Sequence, residues 1–347
     1  MKKMIRTQVV MLALVFVSAA RLSAQDTETS YVSIPGTVSR EAGNFLRTLR
    51  NSDLNPAWPA PGETGKWKAL QRAAEANSLK NNKALLARLR PIVEEKNIGG
   101  VPVLDIKPRS WKDNGTLIVH IHGGAYVFNS ARSMLGSSAL MADATGRRVI
   151  SVDYSLAPHA RWQQVVQQVV TVFAGLKKAG NSMKDIAVFG DSAGGGLATG
   201  AVLRMRDLGM EMPAALVLWS PWTDITETGD TYVTLKHAEP FYLYEKHLKP
   251  AADAYAEPKD QKNPYVSPVY GDYGKDFPPV LIQGGTKEIL LSGFIRLYQA
   301  LDTKGRTVKL DLYEGMPHVF QVQIVDSPES KIARAKVVRF LTRYLGR

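Results

Sequence analysis

Gly190-Asp191-Ser192-Ala193-Gly194, with two more glycines at 195 and 196, follows the apolar run Ile186-Ala-Val-Phe189 and opens a segment of helical spacing that reaches Arg206. A serine in a tight turn between strand and helix presents its hydroxyl above the sheet if the residues two before and two after carry no bulk. The first turn of the following helix aims N–H groups and the positive end of its dipole at the same place, where a developing oxyanion would be stabilised. The chemistry implied is nucleophilic attack by Ser192. Taken alone, the pattern could equally be a flexible glycine-serine turn, so its partners must be sought at other strand ends.

His122-Gly123-Gly124-Ala125-Tyr126 directly follows the apolar run 116–121. Consecutive glycines at the carboxyl end of a strand let backbone N–H groups turn toward the crevice where open α/β sheets bind ligands. In a hydrolase of this topology, the second half of an oxyanion hole belongs there.

A serine nucleophile needs a base, and the chain offers six histidines. His120 lies inside a strand and reads as a core histidine, His122 belongs to the glycine motif, and His159 sits in a loop after Leu156-Ala-Pro158. His237 and His247 fall in a charged insertion. His318, in Glu314-Gly-Met-Pro-His318-Val-Phe, follows the run Val308 to Tyr313 and so stands at the carboxyl end of the last strand. The order nucleophile, acid, histidine then asks for a carboxylate between 192 and 318, just after a strand. Glu288, in Gln283-Gly-Gly-Thr-Lys-Glu288 after the run 279–282, is the candidate. Asp224 competes but reads better as structural; Asp311 lies inside a strand, and Glu314 is too near His318 in sequence.

The elements that must position these residues are an alternation of strands and helices. Strands are expected at 101–106, 116–121, 148–153, 186–189, 215–219, 279–282 and 308–313, most of them continuous apolar runs suited to a parallel sheet buried on both faces. Helices are expected at about 131–145, 161–179, 193–208, 292–304 and 329–345. This pattern predicts an α/β fold with a doubly wound, mostly parallel sheet flanked by helices. Two regions break it. Residues 25–97 carry helical stretches at 38–49, 67–76 and 83–95, and about 225–268 is rich in charge and tyrosine with little periodicity. Both are expected to form a helical cap over a catalytic domain that spans 98–347.

The basic start Met-Lys-Lys-Met-Ile-Arg and the apolar run 9–20, with Leu22-Ser-Ala24 before Gln25, predict a secretory signal peptide over 1–24 and an exported protein, periplasmic or extracellular. No later segment is apolar enough for stable membrane insertion. The chain has no cysteine, which removes disulfides, thiolate nucleophiles and zinc-thiolate sites. No histidine or carboxylate spacing suggests a metal, and the glycines at 194–196 lack the Lys-Ser/Thr of a phosphate loop, so no cofactor is implied. The formal charge is +12, of which Lys2, Lys3, Arg6 and Arg21 supply four. The remaining basic residues are scattered among acids without the aromatic-lined stripe of a nucleic-acid groove. The partner expected is a small-molecule ester; oligomeric state is not legible.

The ordered set His122-Gly-Gly-Ala-Tyr126, Asp153-Tyr-Ser-Leu-Ala-Pro158, Gly190-Asp-Ser-Ala-Gly194, Ser220-Pro-Trp-Thr-Asp224, Gly285-Thr-Lys-Glu-Ile-Leu-Leu291 and Gly315-Met-Pro-His318 resembles the hormone-sensitive-lipase-like esterases, bacterial family IV of the α/β-hydrolases, over about residues 95–347. The resemblance implies that Ser192 is the nucleophile, His318 the general base and acid, and Glu288 the orienting acid. It implies an oxyanion hole made by the N–H groups of Gly124, Ala125 and Ala193, with Gly123 permitting the turn, and a cap from the two irregular regions. Ala125 replaces the commoner third glycine, Glu288 replaces the commoner aspartate, and Ile-Leu-Leu-Ser292 lacks the usual second acid. The expected activity is hydrolysis of short-chain acyl esters through an acyl-enzyme. The same machinery would serve a lactone hydrolase or an aryl-formamide amidohydrolase. A non-catalytic ligand receptor on this scaffold would be expected to have lost a member of the triad.

Overall fold

A computed structural model describes residues 33–50 and 52–345. The signal peptide expected at 1–24 lies outside them. The strands are β1 (Ile92–Ile98), β2 (Val101–Lys107), β3 (Leu117–Ile121), β4 (Arg148–Val152), β5 (Ile186–Asp191), β6 (Ala215–Trp219), β7 (Val280–Gly285) and β8 (Val308–Tyr313). The helices are α1 (Arg40–Leu46), α2 (Thr64–Leu89), α3 (Leu135–Thr145), α4 (Trp162–Lys178), α5 (Ala193–Asp207), α6 (Thr231–Thr234), α7 (Lys249–Tyr255), α8 (Leu291–Asp302), α9 (Phe320–Gln323) and α10 (Pro328–Leu345).

All eight strands form one sheet in the order β1-β2-β4-β3-β5-β6-β7-β8. The β1/β2 and β2/β4 pairings are antiparallel and those from β4 to β8 are parallel. Side chains alternate across the sheet. Ile186 and Val188 of β5 pack in the cluster that includes Val169 and Phe173 of α4, Leu197 of α5 and Phe294 of α8. Ala187 and Phe189 pack on the opposite side with Met141 of α3 and Val337 and Leu341 of α10. With both faces covered, the central strands must be apolar throughout, and β3, β5, β6 and β7 are buried along their whole length.

One expectation needs correction. The helix expected at 83–95 stops early: α2 is a single helix from Thr64 to Leu89 that takes in the stretch 67–76 as well, and residues 92–98 form β1, inside the stretch assigned to the cap. Arg90 caps α2 in the left-handed region at φ 48°, and Pro91 then forbids a further helical turn. The insertion holds α6, a π-turn at Tyr244–Leu248 and α7.

The strand order reverses at β3. Its neighbours β4 and β5 follow it in sequence on opposite sides, so the crossover helices leave in opposite directions and open a crevice at the carboxyl ends of β3 and β5. His122 and Ser192 are the first residues beyond those two ends.

Candidate active site

Ser192 joins β5 to α5 with φ 54° and ψ −126°, a conformation that costs a non-glycine residue about 1–3 kcal/mol and must be held by its surroundings. Its N–H donates to the Trp219 carbonyl (2.8 Å), and its carbonyl accepts from Trp222 N (2.8 Å) and Gly195 N (3.0 Å). The flanking glycines are required by close approach. A Cβ on Gly194 would lie 2.0 Å from the Ile121 carbonyl oxygen, and one on Gly190 would lie 2.5 Å from that of Gly194. The serine therefore stands at the positive end of a fifteen-residue helix.

Across the crevice, Gly124, Ala125 and Tyr126 run through positive φ (123°, 52° and 65°). Tyr126 is fully buried and stacked on Tyr255 with centroids 3.8 Å apart, a contact that helps hold this run in place. The Gly123 N–H donates to Asp191 Oδ2 (3.1 Å) and is thus consumed. The N–H groups of Gly124, Ala125 and Ala193 donate to no acceptor among the described residues. Three donors without partners beside a serine hydroxyl can stabilise an oxyanion on an attacked carbonyl.

His318 follows β8, and its Nδ1 lies 2.7 Å from Glu288 Oε2, with both side chains buried. The carboxylate fixes Nδ1–H as the donor and leaves Nε2 free to take a proton. Glu288 Oε1 accepts from Ser220 Oγ (2.8 Å) and Gly285 N (2.6 Å). Ser220 Oγ in turn accepts from Val319 N (3.0 Å), so one hydroxyl clamps both the acid and the residue after the histidine.

The other candidates fall elsewhere. Asp224 pairs with Arg296 (2.5 Å) and accepts from Tyr270 (3.0 Å), while Asp311 binds Gln283, Tyr313 and Lys336. Glu314 accepts from Thr37. His120 Nε2 faces Asp191 Oδ1 (3.0 Å) and its Nδ1 faces the hydroxyls of Ser138 and Ser151. His122 donates from Nδ1 to the Gly123 carbonyl (2.8 Å), and burial holds its pKa below the ordinary imidazole range, so it is neutral. His247 accepts at Nδ1 from Leu243 N (2.8 Å) and reaches the Pro56 carbonyl through Nε2 (3.1 Å).

Sequence reasoning missed two contributors. Asp191 ties the serine turn to Gly123 and, through His120, to β3; its place beside Ser192 was the available signal. Ser220, at φ 46°, lies in the motif Ser220-Pro-Trp-Thr-Asp224, whose sequence carries no sign of the clamp. A further buried acid, Glu239, accepts from Phe241 N (3.0 Å) and Ile289 N (3.2 Å), and burial and then the charge of Glu288 push its pKa well up.

Ser192 and His318 line one cavity of about 160 Å³, walled by Trp58, Phe128, Trp222, Tyr242, Leu248 and Leu290. Trp58 comes from the N-terminal segment, and Tyr242 and Leu248 from the insertion. These two regions are stitched together by Trp58 N to the Lys246 carbonyl (2.9 Å) and Asn55 Nδ2 to the Phe241 carbonyl (3.0 Å), besides His247. Among the described residues no cluster of His, Cys, Asp or Glu could hold a metal, and no helix is long and apolar enough to cross a membrane.

Residues 118–322 match the family model described as the alpha/beta hydrolase fold. The chain is similar to an acetyl-hydrolase of Streptomyces hygroscopicus, 32% identical over 238 residues, which cover 69% of this chain and 79% of the relative. A crystal structure of an esterase superposes with a TM-score of 0.84 at 29% identity, covering 90% of this chain and 96% of the other. An esterase from the bacterial hormone-sensitive-lipase family gives 0.74 at 31% identity over 81% and 92%. With residues 118–322 matching the family model and these relatives covering most of its length, this chain belongs to the α/β-hydrolase family, as an esterase of its hormone-sensitive-lipase-like branch.

Proposed function

We propose that this carboxylic ester hydrolase works through Ser192, His318 and Glu288 on short-chain acyl esters. The observation that carries the reading is the 2.7 Å pairing of His318 Nδ1 with Glu288 Oε2 on the wall of the cavity that Ser192 also lines. His318 Nε2 takes the proton as Ser192 Oγ attacks the ester carbonyl, and Glu288 stabilises the imidazolium. The carbonyl electron pair moves onto oxygen, toward the N–H groups of Gly124, Ala125 and Ala193. Collapse expels the alcohol, which leaves with the proton from His318, and water then repeats the sequence on the acyl-enzyme.

A short acyl group is supported by size, because a cavity near 160 Å³ has room for about one benzene-sized group. The acetyl-hydrolase relative points the same way. The two stitched regions would then act as a cap that closes this space. Export is supported by the basic and then apolar residues 1–24 and would be contradicted by a mature protein that retains them.

The test compares p-nitrophenyl acetate, butyrate and decanoate with a lactone and a formyl anilide, using Ser192→Ala as the blank. We expect kcat/KM to fall from the short esters to decanoate and to be lower on the lactone and the anilide. The blank should lose at least about 10⁴-fold in kcat. A Ser192→Ala enzyme with the parental rate, or a preference for decanoate, would overturn the reading.

A further inference from the structure

The peptide that offers the Gly124 N–H ends, on its other side, in the Gly123 carbonyl, and because a peptide is planar whatever fixes that carbonyl also aims the N–H. Two groups donate to it: His122 Nδ1 at 2.8 Å and the side-chain amide of Asn129, through Nδ2, at 3.3 Å. Asn129 is half-buried on the cavity wall and sits at φ 70°, a left-handed conformation that asparagine accepts more readily than most residues. Its other amide atom, Oδ1, accepts from Ser78 Oγ at 3.2 Å, and Ser78 lies on α2.

Ser78 is one member of a polar stripe. Gln71, Glu75, Ser78 and Asn82 fall at intervals of four, three and four residues and so share one face of α2. Gln71 donates to the carbonyls of Val127 (2.9 Å) and Ala157 (3.0 Å), Glu75 accepts from Ser130 Oγ (2.6 Å), and Asn82 donates to the Ser133 carbonyl. All four grip the segment 127–133 that follows the run of positive φ.

From this chain of contacts we infer that Asn129, held by Ser78, is a positioning residue for the oxyanion hole. Its amide fixes the Gly123–Gly124 peptide so that the Gly124 N–H faces the developing charge. Hydrogen bonds in series polarise one another, so the donation into the carbonyl also strengthens the N–H as a donor. The inference rests on the proposed hole at Gly124, Ala125 and Ala193, and its test separates the two.

The probe is an aryl trifluoromethyl ketone beside the matching methyl ketone. Ser192 Oγ adds to the fluorinated carbonyl, its proton passes to His318, and the carbonyl electron pair becomes an oxyanion that faces the hole; the methyl ketone stays trigonal. The wild-type ratio of the two inhibition constants therefore reads the hole, and a wild-type enzyme that does not prefer the fluorinated ketone overturns the hole and the inference together. Asn129→Gly keeps the left-handed backbone and removes the amide. Removing a hole donor outright costs about a hundredfold or more, so loss of an indirect support should cost about tenfold in kcat for p-nitrophenyl acetate and in the inhibitor ratio. KM should stay within about twofold, with active sites counted by fluorophosphonate titration. Ser78→Ala should cost about threefold in the wild type and nothing further in Asn129→Gly, as expected for two residues acting in series. If the wild type discriminates but Asn129→Gly keeps its ratio and kcat, or raises KM alone, or if Ser78→Ala costs the same in both backgrounds, Asn129 has no such role while the hole stands.

Discussion

Helices α2 (26 residues) and α4 (17 residues) carry no catalytic side chain, and they are held in opposite ways. α4 buries Val165, Val166, Val169, Val170, Val172, Phe173 and Leu176 in a single apolar stripe. α2, though longer, fully buries only Trp67 and makes its contacts through the polar stripe from Gln71 to Asn82. Apolar burial is strong and non-directional, whereas a hydrogen bond contributes only about 0.5–1.5 kcal/mol net but dictates where its partner points. α4 secures the fold, and α2 secures the direction of the loop that leads away from the proposed oxyanion donors.

The largest expected effect lies on the apolar side. Phe173→Ala should cost about 3–5 kcal/mol of stability and lower Tm sharply. Its kcat/KM per active site, measured well below the transition, should stay near that of the parent. Gln71→Ala comes second. It leaves the Val127 and Ala157 carbonyls without their side-chain donor and should cost about 1–3 kcal/mol, yet here the folded enzyme itself should slow severalfold. A Phe173→Ala enzyme that slows as much per active site, or a Gln71→Ala enzyme that keeps full kcat/KM, would erase the contrast.

The smallest effect concerns the seam between the N-terminal segment and the insertion. Burial lowers the pKa of His247 below its ordinary 6.5, although the Pro56 carbonyl pulls the other way. A depressed imidazole contributes stability that is full above pH 6.5 and is lost as pH falls below it, because the unfolded chain then binds the proton first. The loss is at most about 1.4 kcal/mol per pH unit for one such group. His122 is depressed as well, so the seam's share is the part of the slope between pH 6.5 and 5 that His247→Asn removes from thermal unfolding curves. An unchanged slope in that variant would mean that the seam does not respond to acid.

The parallel strands and the helices α4 and α8 were legible in the sequence because a sheet covered on both faces forces continuous apolar runs and these crossover helices carry one apolar stripe. Glycine patterns at the ends of β3 and β5 were legible because backbone crowding admits nothing larger. β1 was not. Its sequence Ile-Val-Glu-Glu-Lys-Asn-Ile lies at a sheet edge, mostly exposed, and charge on such a strand discourages pairing with a neighbouring molecule rather than signalling burial. α2 was found only in pieces, since a helix held by hydrogen bonds has no apolar period to detect, although Pro91 alone marked where it must stop. The pairing of Glu288 with His318 followed from chain order. The clamp at Ser220 and the link through Asp191 depend on which groups the folded strands bring within hydrogen-bond reach, and that is a tertiary fact no spacing encodes.

The N-terminal helix has a consequence for when His318 can be seated. Ala42 of α1 packs with Tyr313, Met316, Phe320 and Ala333, and Ser39 binds Glu329, a separation of 290 residues. The stretch from Tyr313 to Phe320 holds His318, so among the first described elements the ribosome makes is one whose seat is supplied by the last. Contacts so distant along the chain close late in folding. His318 would thus gain its full seat only once the segment around Glu329 has packed on α1, a delay written into topology rather than into any regulatory residue.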